Sequence, residues 1–247
     1  MLNLKNKQLI LNFNNNVIKI FLKFCYFSLL LILLSCGADT PKKEKTTEKA
    51  LVEAESNVQE SSTSKTILVF GDSLTAGFGL DDVNDAFPAL LQSKIDSLSL
   101  GYTVINSGVS GETTAGGKSR IDWVLNQKID VFILELGAND GLRGVPLKET
   151  RENLQAIIDA VLEKNAATKI ILAGMQLPPN MGQDYINEFK TIFPELATKN
   201  KLTLIPFLLK DVGGIPALNQ ADGIHPTVDG HKILANNVWT VLEPIIS

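Results

Sequence analysis

Ser73 stands directly behind Asp72 in GDSLTAG (71–77), where the apolar run TILVF (66–70) ends. A serine there can act as an acyl-transfer nucleophile if a base, an acid that orients the base and donors for an oxyanion converge on it. Gly, Asp and Ser also build ordinary turns and cap helices, so the segment alone does not decide. The base has few candidates, because the chain holds only two histidines, His225 and His231, both inside ADGIHPTVDGH (221–231). Asp222, three residues before His225, is close enough to orient one ring nitrogen while the other faces Ser73. Pro226 suits the first position of a helix, where a missing N–H costs nothing. His231 then falls about one and a half turns further on, facing away from His225, and a packing or surface histidine is its simpler reading. For the oxyanion, Gly108 can bring a backbone N–H close because no Cβ intrudes, and Asn139 can offer its amide. Taken singly, GVSGETT is an ordinary Gly-rich turn and GAND a turn before a helix.

These residues need elements to place them. From Thr66 onward short apolar runs alternate with segments of helical spacing. The strand-like runs are TILVF (66–70), YTVIN (102–106), DVFILEL (130–136), KIILAGM (169–175) and LTLIPF (202–207). Helical patterns cover 87–98, 113–127, 147–165, 184–200 and 227–243, with Trp123 and Trp239 on helices and read as core residues. Continuous apolar strands between helices predict an α/β three-layer sandwich around a five-stranded parallel sheet, a flavodoxin-like arrangement. Ligands in such sheets bind beyond the carboxyl ends of the strands, which is where Ser73, Gly108 and Asn139 stand.

GDSLTAG, Gly108 in NSGVSGETT, GAND (137–140) and DGIHP (222–226) together resemble, in order and spacing, the four signature blocks of the GDSL or SGNH hydrolase superfamily. The likeness runs from about Thr66 to the carboxyl end, and ELGANDGLRG (135–144) with DGIHPTVDG is most similar to its bacterial multifunctional thioesterase–lysophospholipase–arylesterase branch. The resemblance implies an SGNH hydrolase domain over 66–247 with Ser73 as nucleophile, His225 as base and Asp222 as orienting acid. It implies an oxyanion hole from the Ser73 N–H, the Gly108 N–H and the Asn139 side chain, ester or thioester substrates, and no metal or cofactor. The loop MQLPPNMGQDY (175–185) follows a strand, so Met175, Leu177, Pro178 and Met181 are candidates to line an acyl groove, or to form a buried connector.

Other readings fit less well. A G-x-S-x-G elbow needs glycine two residues after the serine, where Thr75 stands. GETTAGGKS (111–119) misses the phosphate-loop pattern by one residue, with Glu112 where a glycine is needed. A carbohydrate O-acetylesterase of the same superfamily, or a non-catalytic binding lipoprotein, are the remaining alternatives.

The amino-terminal part has a different composition. Residues 1–23 carry Lys5, Lys7, Lys19 and Lys23 and no acids, and the next 11 residues, FCYFSLLLILL (24–34), are apolar but short of the about 20 that span a bilayer. LLSC (33–36) followed by Gly37 resembles a bacterial lipobox, which implies a signal peptide over 1–35, lipidation of Cys36 and a membrane anchor. Gly37 and Ala38, in place of an acid after the cysteine, suit an exported lipoprotein carried to the outer membrane. Residues 36–65 are rich in Lys, Glu, Ser and Thr and read as a disordered tether, with a weak helix at 48–60. Cys25 and Cys36 are the only cysteines, so the folded part has no disulfide and no Cys-based zinc site. A net charge of −4 without a basic stripe gives no footprint for nucleic acid. The expected working unit is a monomer.

Overall fold

The computed structural model describes residues Ser64–Ser247. The predicted signal peptide, Cys36, nearly all of the tether and the weak helix at 48–60 lie outside the described residues. Five strands form one parallel sheet: β1 (Lys65–Gly71), β2 (Tyr102–Gly108), β3 (Val131–Glu135), β4 (Lys169–Ala173) and β5 (Thr203–Ile205), in the order β2-β1-β3-β4-β5. The central strands are apolar on both faces because both faces are covered: Ile67 to Phe70 and Val131 to Leu134 are all buried. Each such side chain contributes roughly 1.5–3 kcal/mol by leaving water.

Among the described residues, seven α-helices connect and cover the sheet: α1 (Ser73–Ala76), α2 (Phe87–Ser97), α3 (Thr114–Val124), α4 (Ala138–Leu142), α5 (Leu147–Lys164), α6 (Gln183–Asn200) and α7 (Val228–Ile246). Helix α2 packs on α7, while α3 packs on α5 and α5 on α6. The strand order turns back at β1, whose neighbours are β2 and β3, so a crevice opens between the exits of these strands.

The alternation read from sequence is borne out, with local differences. Strand β1 starts at Lys65, and the Ser64 hydroxyl already meets that of Thr103 at 2.9 Å. Helix α7 is capped by Thr227, whose side chain accepts the Gly230 N–H, so Pro226 lies one residue ahead of the cap rather than opening the helix. Trp123, expected in the core, is 77% exposed. Ile121, Val124 and Leu125 turn inward from α3, and a residue between them in sequence points to the opposite side. Trp239 is half-buried against the core.

Candidate active site

The turn that carries Ser73 is fixed by Asp72, Asn106 and a close approach of two backbones. Asp72 is the N-cap of α1, and its Oδ1 accepts the Leu74 N–H at 3.0 Å. The capping role and the chemical role of this segment thus coexist: Asp72 holds the turn and Ser73 stands at its tip. Asn106 donates from Nδ2 to the Thr75 carbonyl at 2.8 Å, which ties α1 to the end of β2. Gly108 is the last residue of β2, and a Cβ on it would lie 2.3 Å from the Ala76 nitrogen, so only glycine lets α1 settle here.

The facing loop carries Asp222 and His225. Asp222 Oδ1 accepts the backbone N–H groups of Ile224 and His225, each at 3.0 Å, while its Oδ2 lies 2.6 Å from His225 Nδ1. His225 Nε2 lies 2.9 Å from Ser73 Oγ. The carboxylate fixes the tautomer: Nδ1 donates to Asp222, which leaves Nε2 as the acceptor toward serine. The hydrogen bond from His225 and the two backbone N–H groups pull the Asp222 carboxyl down to about 2, so it stays charged. Phe78 lies against the imidazole, with ring centroids 4.6 Å apart.

Ser73, Gly111 and Asn139 all line the cavity and carry N–H groups. The Ser73 and Gly111 N–H groups have no hydrogen-bond partner among the described residues. Asn139 gives one amide N–H to Asp72 Oδ2 at 2.9 Å and has a second to offer. Gly108 does not belong with them. Its N–H donates to Asn106 Oδ1 at 3.0 Å, and it lies inside the β1–β2 ladder opposite Gly71, off the cavity wall. The glycine of this block at the cavity is therefore Gly111 rather than the Gly108 chosen from sequence. Gly111 lines the cavity at φ +77°, a conformation that glycine takes without strain. The signal was present in GVSGETT, but the β2 boundary read at Asn106 placed Gly108 on a loop it does not occupy.

A cavity of about 630 Å³ opens over Ser73 and His225, within the usual range for a small-molecule site. Met175, Leu177 and Pro178 line it, as the sequence suggested. Met181 does not: the chain turns away in a short 3-10 segment, Pro179–Met181, before α6 begins. Phe78, Leu142, Phe207, Leu209 and Ile224 complete the apolar wall, and none was singled out from sequence. They come from four separate segments of the chain, and no local pattern marks such a convergence.

The sequence model of the GDSL-like Lipase/Acylhydrolase family matches residues 69–233. The chain belongs to this family. It is 39% identical to the esterase TesA of Pseudomonas aeruginosa over 74% of this chain and 90% of that one. It is 36% identical to thioesterase 1/protease 1/lysophospholipase L1 of Escherichia coli K12, over 74% and 85% of the two chains. The crystal structure of AlinE4, an SGNH-hydrolase family esterase, superposes with a TM-score of 0.61 at 41% identity, covering 74% of this chain and 97% of that one. The chain is an ester-hydrolysing enzyme with the SGNH-hydrolase fold.

Two more residues of this GDSL-family site were not assigned from sequence. Glu135, at the end of β3, is fully buried beneath the nucleophile's turn. Its Oε2 accepts the Thr75 hydroxyl at 2.7 Å and the Asp72 N–H at 3.1 Å. Burial first, and the charge of Asp72 second, push its carboxyl well above the ordinary range. Its Oε1 has no partner among the described residues. Burial likewise raises Asp72 to about 6. Asp140, the acid of GAND, accepts the N–H of Thr114 at 2.8 Å and also its hydroxyl, so it ties α4 to the start of α3. In the near-miss phosphate loop, Glu112 is paired with Arg120 at 2.6 Å.

Proposed function

We propose that the chain hydrolyses carboxylic esters and thioesters of acyl or lipid substrates through Ser73, His225 and Asp222, working as a monomer. The contact chain Asp222 Oδ2 to His225 Nδ1 to Ser73 Oγ, opening onto an apolar cavity, carries this reading. His225 Nε2 takes the Ser73 proton as Oγ attacks the acyl carbonyl. The Ser73 N–H, the Gly111 N–H and the free N–H of Asn139 receive the oxyanion. The protonated His225 then gives its proton to the leaving alcohol or thiol, and the carbonyl re-forms as an acyl-enzyme. Water, deprotonated by His225, attacks that ester, and the proton returns to Ser73 as the acid departs. Asp222 stays ionised and steadies the imidazolium. Neither Trp123 nor Trp239 lines the cavity, whose wall is mostly apolar, with Phe78 and Phe207 set among aliphatic side chains and prolines. The names of the relatives, esterase and thioesterase/lysophospholipase, agree with an acyl substrate.

A panel of p-nitrophenyl esters of rising acyl length, an acyl-CoA and a lysophospholipid tests the reading. The wild-type protein should turn over at least one class, and Ser73→Ala should lose about 10⁴-fold or more in kcat. Near-normal turnover by folded Ser73→Ala would refute the proposed nucleophile.

Lipidation of Cys36, and through it outer-membrane attachment, is the second part of the proposal, supported by LLSC and the apolar run before it. Cys36→Ser should remain fully active but leave the membrane fraction. Retention of that variant through a salt wash would point instead to an uncleaved helix at 18–34.

A further inference from the structure

We infer that Gln220 is a positioning residue that sets the gap between nucleophile and base, an inference that rests on the Ser73–His225 reading above. Gln220 does not line the cavity. Its backbone N–H donates to the His225 carbonyl at 2.7 Å, and its carbonyl accepts the Gly223 N–H at 2.9 Å, so it closes the loop that carries Asp222 and His225. Its side chain extends the closure across the site. Nε2 donates to the Pro226 carbonyl at 2.9 Å on that loop and to the Phe78 carbonyl at 2.7 Å on the nucleophile's side. Both amide hydrogens are engaged by carbonyl oxygens, and the flipped amide would set oxygen against oxygen, so the orientation is determined.

Phe78 is the other end of the strap. Its N–H donates to the Ser73 carbonyl at 3.0 Å, and its ring lies on His225. A closed ring of contacts therefore runs from Ser73 through Phe78 and Gln220 to His225 and back to Ser73. Within the His225 loop, the Asp222–His225 contacts are made without Gln220's side chain. What the side chain adds is the registration of this loop on the Ser73 turn, across a sequence separation of 142 residues. Misplacing a reacting pair by about 1 Å costs on the order of 10²-fold in rate. Gly79 shows how close the strap lies: at φ +75°, a Cβ there would stand 2.1 Å from Gln220 Oε1.

The test compares Gln220→Leu and Gly79→Ala with the wild-type full chain. Three readouts apply: kcat and KM on a p-nitrophenyl ester, the rate at which paraoxon phosphorylates Ser73, and the far-downfield proton signal of the Asp222-bound imidazole N–H. For Gln220→Leu, kcat and the paraoxon rate should fall together by about 10–10²-fold, with KM changed less than about twofold and the imidazole signal retained. Gly79→Ala should fall in the same direction. It should cost little more when added to Gln220→Leu, because both act on one contact. Unchanged kcat in Gln220→Leu would overturn the inference. So would loss of the imidazole signal with activity, since Gln220 would then merely keep the loop folded. His225→Ala, measured alongside, separates the two levels: if it remains active, the base assignment fails whatever Gln220 does.

Discussion

His225 and His231 share one short stretch of sequence and end in opposite circumstances. The His225 side chain keeps 17% of its surface exposed, contacts Asp222 and Ser73 through its two nitrogens, and faces the cavity. His231, on the first turn of α7, is buried against Phe87. Its Nδ1 accepts the Phe87 N–H at 3.3 Å, so it caps α2, whose own N-cap residue Ala86 has no side chain to do so. The proton is then on Nε2, which has no partner among the described residues. Burial, with the charge of His225 second, lowers the His231 pKa to about 4. The same side chain thus suits a proton carrier, the role proposed for His225, where a carboxylate and a hydroxyl meet it, and a neutral helix cap where burial opposes its charge.

The largest effect expected from this contrast is on His225→Ala, which should lower kcat by about 10⁴-fold or more with an unchanged fold by circular dichroism. If a folded His225→Ala turns over substrate within tenfold of wild type, the assignment of the two histidines collapses.

Asn139→Ala sharpens the same contrast from the oxyanion side. The variant should lose about 10²–10³-fold in kcat with KM little changed, because its free N–H matters most when charge has developed on the substrate oxygen. Its other N–H binds Asp72 at 2.9 Å, so the melting temperature reports separately on the structural share. Activity lost only in proportion to unfolded protein would reduce Asn139 to a turn residue.

The smallest effect on catalysis belongs to His231→Ala. Its kcat should stay within about threefold of wild type, while stability falls by about 1–3 kcal/mol through loss of the cap and its packing. The pH dependence gives a sharper check. With a folded pKa of about 4 against 6.5 for the free side chain, the unfolded chain takes up this proton first as pH falls. The stability it contributes is present above pH 6.5 and is lost as pH drops toward 4. Asp72, raised from 3.8 to about 6, works in the opposite sense: its contribution is present below 3.8 and is lost as pH rises to about 6. Denaturant titrations of wild type and His231→Ala at several pH values isolate the histidine by difference. Equal slopes between pH 4 and 6.5 would show that His231 is not held neutral.

Much of the site was legible because its chemistry is local. Asp222 and His225 lie within one turn of chain, and Asp72 and Ser73 at one strand exit, so residue type and spacing marked the candidates, and the resemblance to the four SGNH blocks implied their roles. The sheet was legible because strands buried on both faces leave continuous apolar runs between amphipathic helices. Gly108 was misread for Gly111 because their difference rests on where a ladder stops, and ladder ends follow from the partner strand rather than from the residues themselves. Trp123 was misread because a large apolar side chain on a helix was taken as core, although its neighbours Ile121 and Val124 already claimed the inward face.

The sequence by itself determined that a serine, a histidine and two acids would stand at loop positions of a parallel α/β sheet, since those choices depend on short-range periodicity and turn chemistry. Only the tertiary structure decided which backbone N–H faces the reacting point, which residues wall the cavity, and that Glu135 lies buried beneath Ser73 while Gln220 straps the two loops together. Those outcomes depend on contacts between segments far apart in the chain, where packing and the need to pair buried polar groups act on residues that carry no local mark of their partners.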